Sequence, residues 1–153
     1  MFDAFIQKIE SSPVFNKELY LTSCFFLDQL QFIYYSPITH HLTTFVVEGD
    51  AVKILEENQQ VFQKQEKILE RLDLSLVRID LDGAQSMVLA LLKEKYHKEN
   101  VSQKILSLHQ EQIPYWNVTF ILTDLGIFNA KVHAVTQEII SEKMQHAMDF
   151  KVI

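Results

Sequence analysis

The sequence predicts an α+β fold, in which an antiparallel β-sheet built from two similar helix/strand repeats is packed on one face by two long helices. Two observations lead to this prediction. Residues 116–141 alternate apolar and polar side chains between two tight turns, as three short antiparallel strands do, and residues 20–45 repeat the pattern more weakly. Residues 56–72 and 82–96 have apolar side chains at the spacing of amphipathic helices.

Length and charge limit the classes of protein to which the chain can belong. Its 153 residues fit one compact domain, residues 1–153, made of halves at about 1–72 and 73–153. The net charge of −6 argues against a nucleic-acid surface, which needs a dense basic face. No apolar run is long enough to span a membrane. The N-terminus lacks the apolar segment of a secretory signal, so we expect a cytoplasmic protein unless an export signal has been removed.

The first half begins with a short helix and continues with strands. A helix is predicted from Asp3 to about Ser11, with Phe2, Phe5, Ile6 and Ile9 on one face, and residues 11–13, Ser-Ser-Pro, end it. Strands are predicted at residues 20–27, 30–35 and 42–47. Residues 51–55 favour a fourth strand because Val52 and Ile54 alternate, although Asp50 could equally cap a helix there. The first long helix is then expected at residues 56–72.

The second half follows a connector at residues 73–80. Asp82 is the expected N-cap of the second long helix, with Gln85 three positions later as in a capping box. A loop containing Pro114 is expected at residues 110–115, and a short helix at the tail, residues 142–150. The strands are predicted at residues 104–109, 116–123, 127–133 and 138–141.

The two strand-rich segments can be aligned, which suggests a duplication. The alignment matches Tyr20 with Trp116, Cys24 with Phe120, Asp28 with Asp124, Phe32 with Phe128 and, after a shift of one residue, Thr39 with Thr136. A repeated unit explains these matches better than chance does. Two unrelated hairpins of similar composition remain the alternative.

Residues 79–141 resemble a PepSY domain, a small module of a helix and an antiparallel sheet first noted in propeptides of thermolysin-type peptidases. The resemblance rests on the helix entry at residues 79–84, the strand at 104–109, the aromatic-led strand at 115–118 and the closing segment at 131–140. Gln137 stands where the family has a turn glycine, and His133 stands where it has an aspartate. The resemblance implies a role in binding peptides or peptidases, and the first half is a weaker copy.

The sequence contains no recognisable catalytic or phosphate-binding motif, so we expect no cofactor and no enzymatic activity. The adjacent pair His40 and His41 could bind a metal with His133, but adjacent strand side chains point apart. The single cysteine, Cys24, lies in an apolar run and is expected to be a buried thiol. The leading hypothesis is therefore a non-catalytic binding or interaction module.

Five residues are the candidates for a partner or ligand surface: Tyr34, Tyr35, His133, Tyr115 and Trp116. The aromatic pair at 115–116 is either a partner-facing patch or simply part of the packing. The alternative function is a small-ligand-binding or enzyme-like domain, with a pocket between sheet and helices lined by Tyr34, Tyr35 and His133. The expected partner is a protein or peptide, and a homodimer that pairs sheet edges is a third possibility.

Overall fold

The computed structural model describes residues 1–60 and 68–146. Within these residues the helices are α1, Asp3–Glu10, and α2, Leu81–Tyr96, and one turn of 3-10 helix lies at Leu74–Leu76. The strands are β1 (Tyr20–Leu27), β2 (Gln29–Tyr35), β3 (His41–Glu48), β4 (Ala51–Gln60), β5 (Val101–Glu111), β6 (Ile113–Leu122), β7 (Ile127–His133) and β8 (Ile139–Gln145). None of the helices described is long and apolar enough to cross a membrane.

The eight strands form one antiparallel sheet in the order β4-β3-β2-β1-β5-β6-β7-β8. Along the chain, α1 precedes the meander β1–β4, and α2 precedes the meander β5–β8. The two meanders join at the centre of the sheet, where β1 pairs with β5, and the outermost strands β4 and β8 form its edges. The division of the chain into two PepSY-like halves stays a prediction.

Both helices lie on the same face of the sheet, called here the helix-covered face. Phe2, just before α1, packs edge-on against Phe32 of β2 and Trp116 of β6. Tyr96 at the end of α2 packs against Phe128 of β7 at 5.1 Å between ring centres. The alternation of buried and half-buried residues along β6 and β7 follows from this arrangement, because successive strand side chains point to opposite faces. The opposite side of the sheet is called the open face.

The prediction of two long helices on the sheet is wrong. Residues 51–60 form β4, in which Glu56 lies opposite Thr44 and Gln59 opposite Leu42, and residues 68–72 are not helical either. Residues 61–67 lie outside the described part of the chain. The polar Glu- and Gln-rich sequence favours a helix locally, but pairing with β3 continues the strand beyond Ile54, since context overrides propensity. The chain is mostly antiparallel sheet, with α2 at 16 residues and α1 at 8.

Three smaller predictions are also corrected. The N-cap of α2 is Asp80, whose carboxylate accepts a hydrogen bond from the Gly83 backbone N–H at 2.7 Å. Residues 110–115 are not a loop, because the chain reverses at Gln112 and β6 already begins at Ile113. The tail continues as strand β8 to Gln145, where a helix was expected, and residues 147–150 lie outside the description. The short first helix and the strand at residues 51–55 are confirmed.

Candidate functional site

One row of side chains crosses the open face where β1 meets β5. The strand register orders it, from β2 to β7, as Ile33, Ser23, His109, Tyr115 and His133. Residues directly opposite each other in an antiparallel sheet have side chains on the same face. The row therefore connects an apolar end in the first half to an aromatic and imidazole-bearing end in the second.

A β-bulge at Thr22 determines which residues of β1 belong to this row. Leu21 lies opposite Tyr34 and Ser23 lies opposite Ile33, so Thr22 is an extra residue in β1. An extra residue reverses the alternation of side chains between the two faces. Leu21 therefore stays in the core, and Ser23 faces the open side beside His109.

Residues 68–72, which belong to no helix or strand, cross the end of β1 and are called here the crossing segment. The Tyr20 hydroxyl donates to the Leu69 carbonyl, and the Thr22 hydroxyl donates to the Glu70 carbonyl at 3.0 Å. The Glu70 carboxylate accepts from the Gln112 backbone N–H at 2.9 and 3.0 Å. These bonds attach the crossing segment to both β1 and the β5–β6 turn.

Between the crossing segment and the open face lies a groove of about 720 Å³. Ile33 and Leu42 provide apolar lining, and Ile68 of the crossing segment is 62% exposed at its rim. The polar lining consists of Thr22, Ser23, Glu70, His109, Gln110, Glu111 and Gln112. A volume in this range is typical of a binding site, and the lining of this groove is mostly polar with an apolar part.

His109 is a titratable residue that lines the groove together with Glu70 and Glu111. Its Nε2 lies 2.7 Å from the Ser107 hydroxyl, and its ring stacks on that of Tyr115 with the centres 5.6 Å apart. Burial lowers the pKa of His109, the negative charge of Glu111 acts in the opposite direction, and the positive charge of Lys131 lowers it further. The neutral imidazole is therefore favoured. One of its ring nitrogens donates a hydrogen bond and the other accepts one.

The contact between Ser107 and His109 has the elements of a nucleophile and a base. A nucleophilic pair also needs a third group that orients the base. Within residues 1–60 and 68–146, Nδ1 of His109 has no such partner, and Ser107 is only 7% exposed. Of the two residues, His109 is the one that lines the groove, and Ser107 bonds its Nε2.

Tyr115 extends the site from the groove towards the edge strand β8. One side of its ring stacks on His109, and the ammonium of Lys131 lies 5.5 Å from its ring centre. A cation held near an aromatic ring is attracted to the ring's electron density while keeping its charge available. The open face thus presents a positive charge directly beside the aromatic end of the row.

The structure separates the five candidate residues between the two faces. Tyr34 and Trp116 lie on the helix-covered face and are 0% and 1% exposed. The Tyr34 hydroxyl donates to Glu10, and the indole Nε1 of Trp116 donates to the Ile79 carbonyl at 2.8 Å. Both side chains are therefore part of the core, and the aromatic pair at 115–116 is half surface and half packing.

The other candidates do not form a shared pocket. Tyr35 lies at the end of β2, where its hydroxyl is 2.5 Å from Nδ1 of His40. His133 ends β7, four strand spacings away in the sheet order, or about 19 Å. Of the five candidates, Tyr115 and His133 are the two brought together, as directly opposite residues of β6 and β7. The predicted pocket between sheet and helices, lined by Tyr34, Tyr35 and His133, is therefore not formed.

Sequence reasoning missed the most central residues of the site, Ser23, Ser107 and His109. The sequence contains a signal for two of them, because Leu106 and Leu108 alternate with Ser107 and His109 in the strand predicted at residues 104–109. Strand alternation then places Ser107 and His109 together on the other face. Among the described residues, no three or more His, Cys, Asp or Glu side chains are arranged to hold a metal ion.

Fold and site together define an antiparallel sheet protein with one helix-covered face and a groove on the other. No model of a known protein family matches the sequence, and no curated protein matches it. The chain is similar in structure to a putative lipoprotein from Clostridium difficile 630, with a TM-score of 0.58 and 12% sequence identity. The similarity covers 94% of this chain and 90% of the other. At this identity the comparison shows a shared fold.

Proposed function

We propose that this protein is a non-catalytic binding module that holds an extended segment of a partner protein on the open face of its sheet. The observation that carries the proposal is the groove beneath the crossing segment. Ile33 and Leu42 in its lining can take up an apolar side chain, and Ser23 and His109 can hydrogen-bond to the backbone beside it. Binding sites combine apolar burial with a few directional polar groups in this way.

The extent of the open face favours a peptide over a compact ligand. From β1 the row of side chains continues across β5, β6 and β7, and it runs from the groove over Tyr115 to His133. The distance across two strands of the sheet is longer than one residue of an extended chain. A bound segment can therefore contact the face through several consecutive residues. Tyrosine is also enriched at protein interfaces, since its ring provides contact area and its hydroxyl a polar end.

The resemblance to PepSY domains supports the same proposal, because that family's association with peptidase propeptides suggests a peptide or peptidase partner. The structural neighbour is described as a lipoprotein, which raises an envelope location as an alternative to the cytoplasmic one predicted from the sequence. Fractionation of the source cells with an antibody to this protein would distinguish the two locations.

A small-molecule-binding domain is the second candidate function, and the volume of the groove favours it. A cavity of about 720 Å³ is large enough for a ligand of drug size. Such a ligand would bind at the groove on the open face. It would not use the space between sheet and helices, where Tyr34 and Trp116 are packed.

Selection from a random peptide library displayed on phage tests the proposal. Peptides enriched on the folded protein are synthesised, and their affinities are measured by isothermal titration calorimetry. Ile68→Asp introduces a charge at the groove rim, and we expect it to weaken binding by about tenfold or more. Leu125→Asp is the matched control, because Leu125 is 66% exposed in the turn at the other end of β6. It should leave the affinity unchanged.

Two results would count against the peptide proposal. One is the absence of any enriched peptide on protein whose fold is verified by circular dichroism. The other is a metabolite that raises the melting temperature of the wild type but not of Ile68→Asp, since this would assign the groove to a small molecule.

A further inference from the structure

Two lysines on the open face, Lys131 and Lys143, form no ion pair with any residue in the described ranges. The strand register places Lys131 opposite Asn117 and Lys143 opposite Asn129, so both side chains share this face. Five other lysines are each paired with a carboxylate, namely Lys8, Lys53, Lys93, Lys95 and Lys98. The chain has a net charge of −6, and these two lysines form a local positive region on its surface.

The side chains that surround the two lysines on this face are neutral. Lys131 lies opposite Ser141 of β8, and Asn129 lies opposite Thr119 of β6. The Asn129 amide donates to Asn117 at 2.8 Å and to Thr119 at 2.9 Å, so these polar groups are already bonded to one another. They leave the charges of the lysines uncompensated.

Three acidic residues lie near the lysines, and in the part of the chain that the structure describes none of them forms an ion pair with Lys131 or Lys143. Glu138, whose carbonyl accepts from the His133 backbone N–H, lies just before β8. Glu142 of β8 lies opposite Ala130, on the helix-covered face, and forms its ion pair with Lys95 of α2. Glu111 lies at the far end of β5, beside the groove. Open-face positions in the middle of β7 and β8 therefore carry positive charge, and the complementary occupant is an anion.

The spacing between groove and lysines defines the chemistry of that occupant. His109 of β5 borders the groove, and the lysines lie two and three strands away on β7 and β8. Along the strands, Lys131 lies two residues and Lys143 four residues away from the row that contains His109. With about 4.8 Å between strands and about 3.4 Å per residue, the separations from His109 are about 12 and 20 Å, which an extended chain covers in about four and six residues. Tyr115, with the Lys131 ammonium 5.5 Å from its ring centre, lies between the two regions.

We infer that the open face recognises an acidic peptide segment in which an apolar residue lies about four residues from one carboxylate and about six residues from a second. The apolar side chain occupies the groove, and the carboxylates pair with Lys131 and Lys143. This inference rests on the proposed peptide-binding function and adds the charge and spacing of the ligand. The apolar residue can precede or follow the carboxylates in the peptide. The order that binds shows in which direction the segment runs across the sheet.

Synthetic peptides of about ten residues, long enough to cover the face, test the inference. One pair of peptides has a leucine with aspartates about four and six residues after it, and a second pair has the aspartates at the same distances before it. In each pair the partner peptide replaces aspartate with asparagine. We expect one aspartate peptide to bind at least about fivefold more tightly than its asparagine partner at low salt, and the difference to shrink at 0.3 M salt. Calorimetry or fluorescence anisotropy measures both affinities.

The double variant Lys131→Gln/Lys143→Gln should remove the preference for aspartate without abolishing binding of the asparagine peptide. Lys17→Gln/Lys104→Gln is the matched control, because it changes the net charge equally; Lys104 lies opposite Phe120 on the helix-covered face. That control should retain the preference. Circular dichroism verifies that both double variants are folded.

The possible failures are distinguishable. Equal affinities for aspartate and asparagine peptides, or a full preference in Lys131→Gln/Lys143→Gln, overturn the inference and leave the peptide-binding function intact. If neither peptide binds and library selection also yields nothing, both proposals fall. Binding of anionic lipid vesicles or single-stranded DNA through these lysines, without peptide binding, would likewise overturn the inference.

Discussion

Gln137 and His40 are the left-handed residues of two turns that have the same hydrogen bonds. Gln137 has a φ of 66° between β7 and β8, and His40 has a φ of 60° between β2 and β3. The Gln137 backbone N–H donates to the His133 carbonyl at 2.9 Å, and that of His40 donates to the Ser36 carbonyl at 2.8 Å. The segment matched in the sequence alignment through Thr39 and Thr136 therefore has one backbone conformation in both places.

The residue that opens each turn also caps it with its side chain. The Ser36 hydroxyl accepts from the backbone N–H groups of Ile38 and Thr39 at 3.3 and 3.1 Å. In the same way, Nδ1 of His133 accepts from the backbone N–H groups of Val135 and Thr136 at 3.1 Å each. Two different side chains thus satisfy the same backbone donors. Since an accepting Nδ1 carries no proton, the turn uses the tautomer of His133 with its hydrogen on Nε2.

Replacing Gln137 with glycine should stabilise the protein. A residue with a Cβ is strained at positive φ, whereas glycine adopts this conformation freely. We expect Gln137→Gly to raise the free energy of unfolding by about 0.5–1 kcal/mol. Urea denaturation followed by circular dichroism measures the change.

Gln145→Gly provides the control, because Gln145 lies in β8 and does not have a positive φ. There the added freedom of the unfolded chain should lower the free energy of unfolding by about 0.5–1 kcal/mol. Equal destabilisation by both glycines would show that residue 137 is not strained, and that the glycine of the PepSY turn has no counterpart here.

Sequence patterning predicted the strands well and one helix badly. β1 and β7 combine strong alternation or aromatic content with clear turn residues, so both of their ends were predicted from sequence. Residues 56–60 are polar and lie in the edge strand β4, where the decisive interaction is backbone pairing with β3. That interaction is non-local and leaves no periodic signal in the sequence, whereas the local preference of Glu and Gln favours a helix.

Trp116→Phe and Tyr115→Phe should differ sharply in stability although the residues are adjacent. Losing the indole N–H leaves the buried Ile79 carbonyl without its donor, which costs about 1–3 kcal/mol. Tyr115 faces the open side, where removing its hydroxyl should change stability by less than about 0.5 kcal/mol. Thermal denaturation of both variants checks this. Similar losses would mean that the Trp116 hydrogen bond contributes nothing.

The candidate site was only partly accessible from the sequence, because it depends on which strands are neighbours. Alternation alone assigns Tyr115 and Trp116 to opposite faces and pairs Ser107 with His109. The proximity of Ser23 to His109 requires the contact between β1 and β5, which are 70 or more residues apart in the chain and joined only in the folded sheet. The bulge at Thr22, which turns Ser23 towards that site, likewise has no local sequence signature.

Removing the cap of α2, Asp80, should destabilise the protein more than removing Asp82, the acid in the first turn of the helix. Asp80 accepts from the Gly83 N–H, so Asp80→Ala should cost about 0.5–2 kcal/mol. Asp82→Ala loses only a favourable interaction with the helix dipole, partly offset by the better helix propensity of alanine, and should cost about 0.3 kcal/mol or less. Chemical denaturation compares the two, and a larger effect of Asp82→Ala would restore Asp82 as the cap.

His109 should make the protein less stable as the pH falls. Burial lowers the pKa of His109 in the folded state, with Lys131 acting in the same direction and Glu111 against it, while in the unfolded chain the group titrates near its ordinary value of about 6.5. The stabilising difference is therefore complete above about pH 6.5, and it is lost as the pH falls from there through the folded pKa, because the unfolded chain binds the proton first. Urea denaturation at several pH values should show this loss in the wild type and a smaller one in His109→Gln. An NMR titration of the His109 ring gives the folded pKa directly, and a midpoint above 6.5 would contradict the assigned burial of the imidazole.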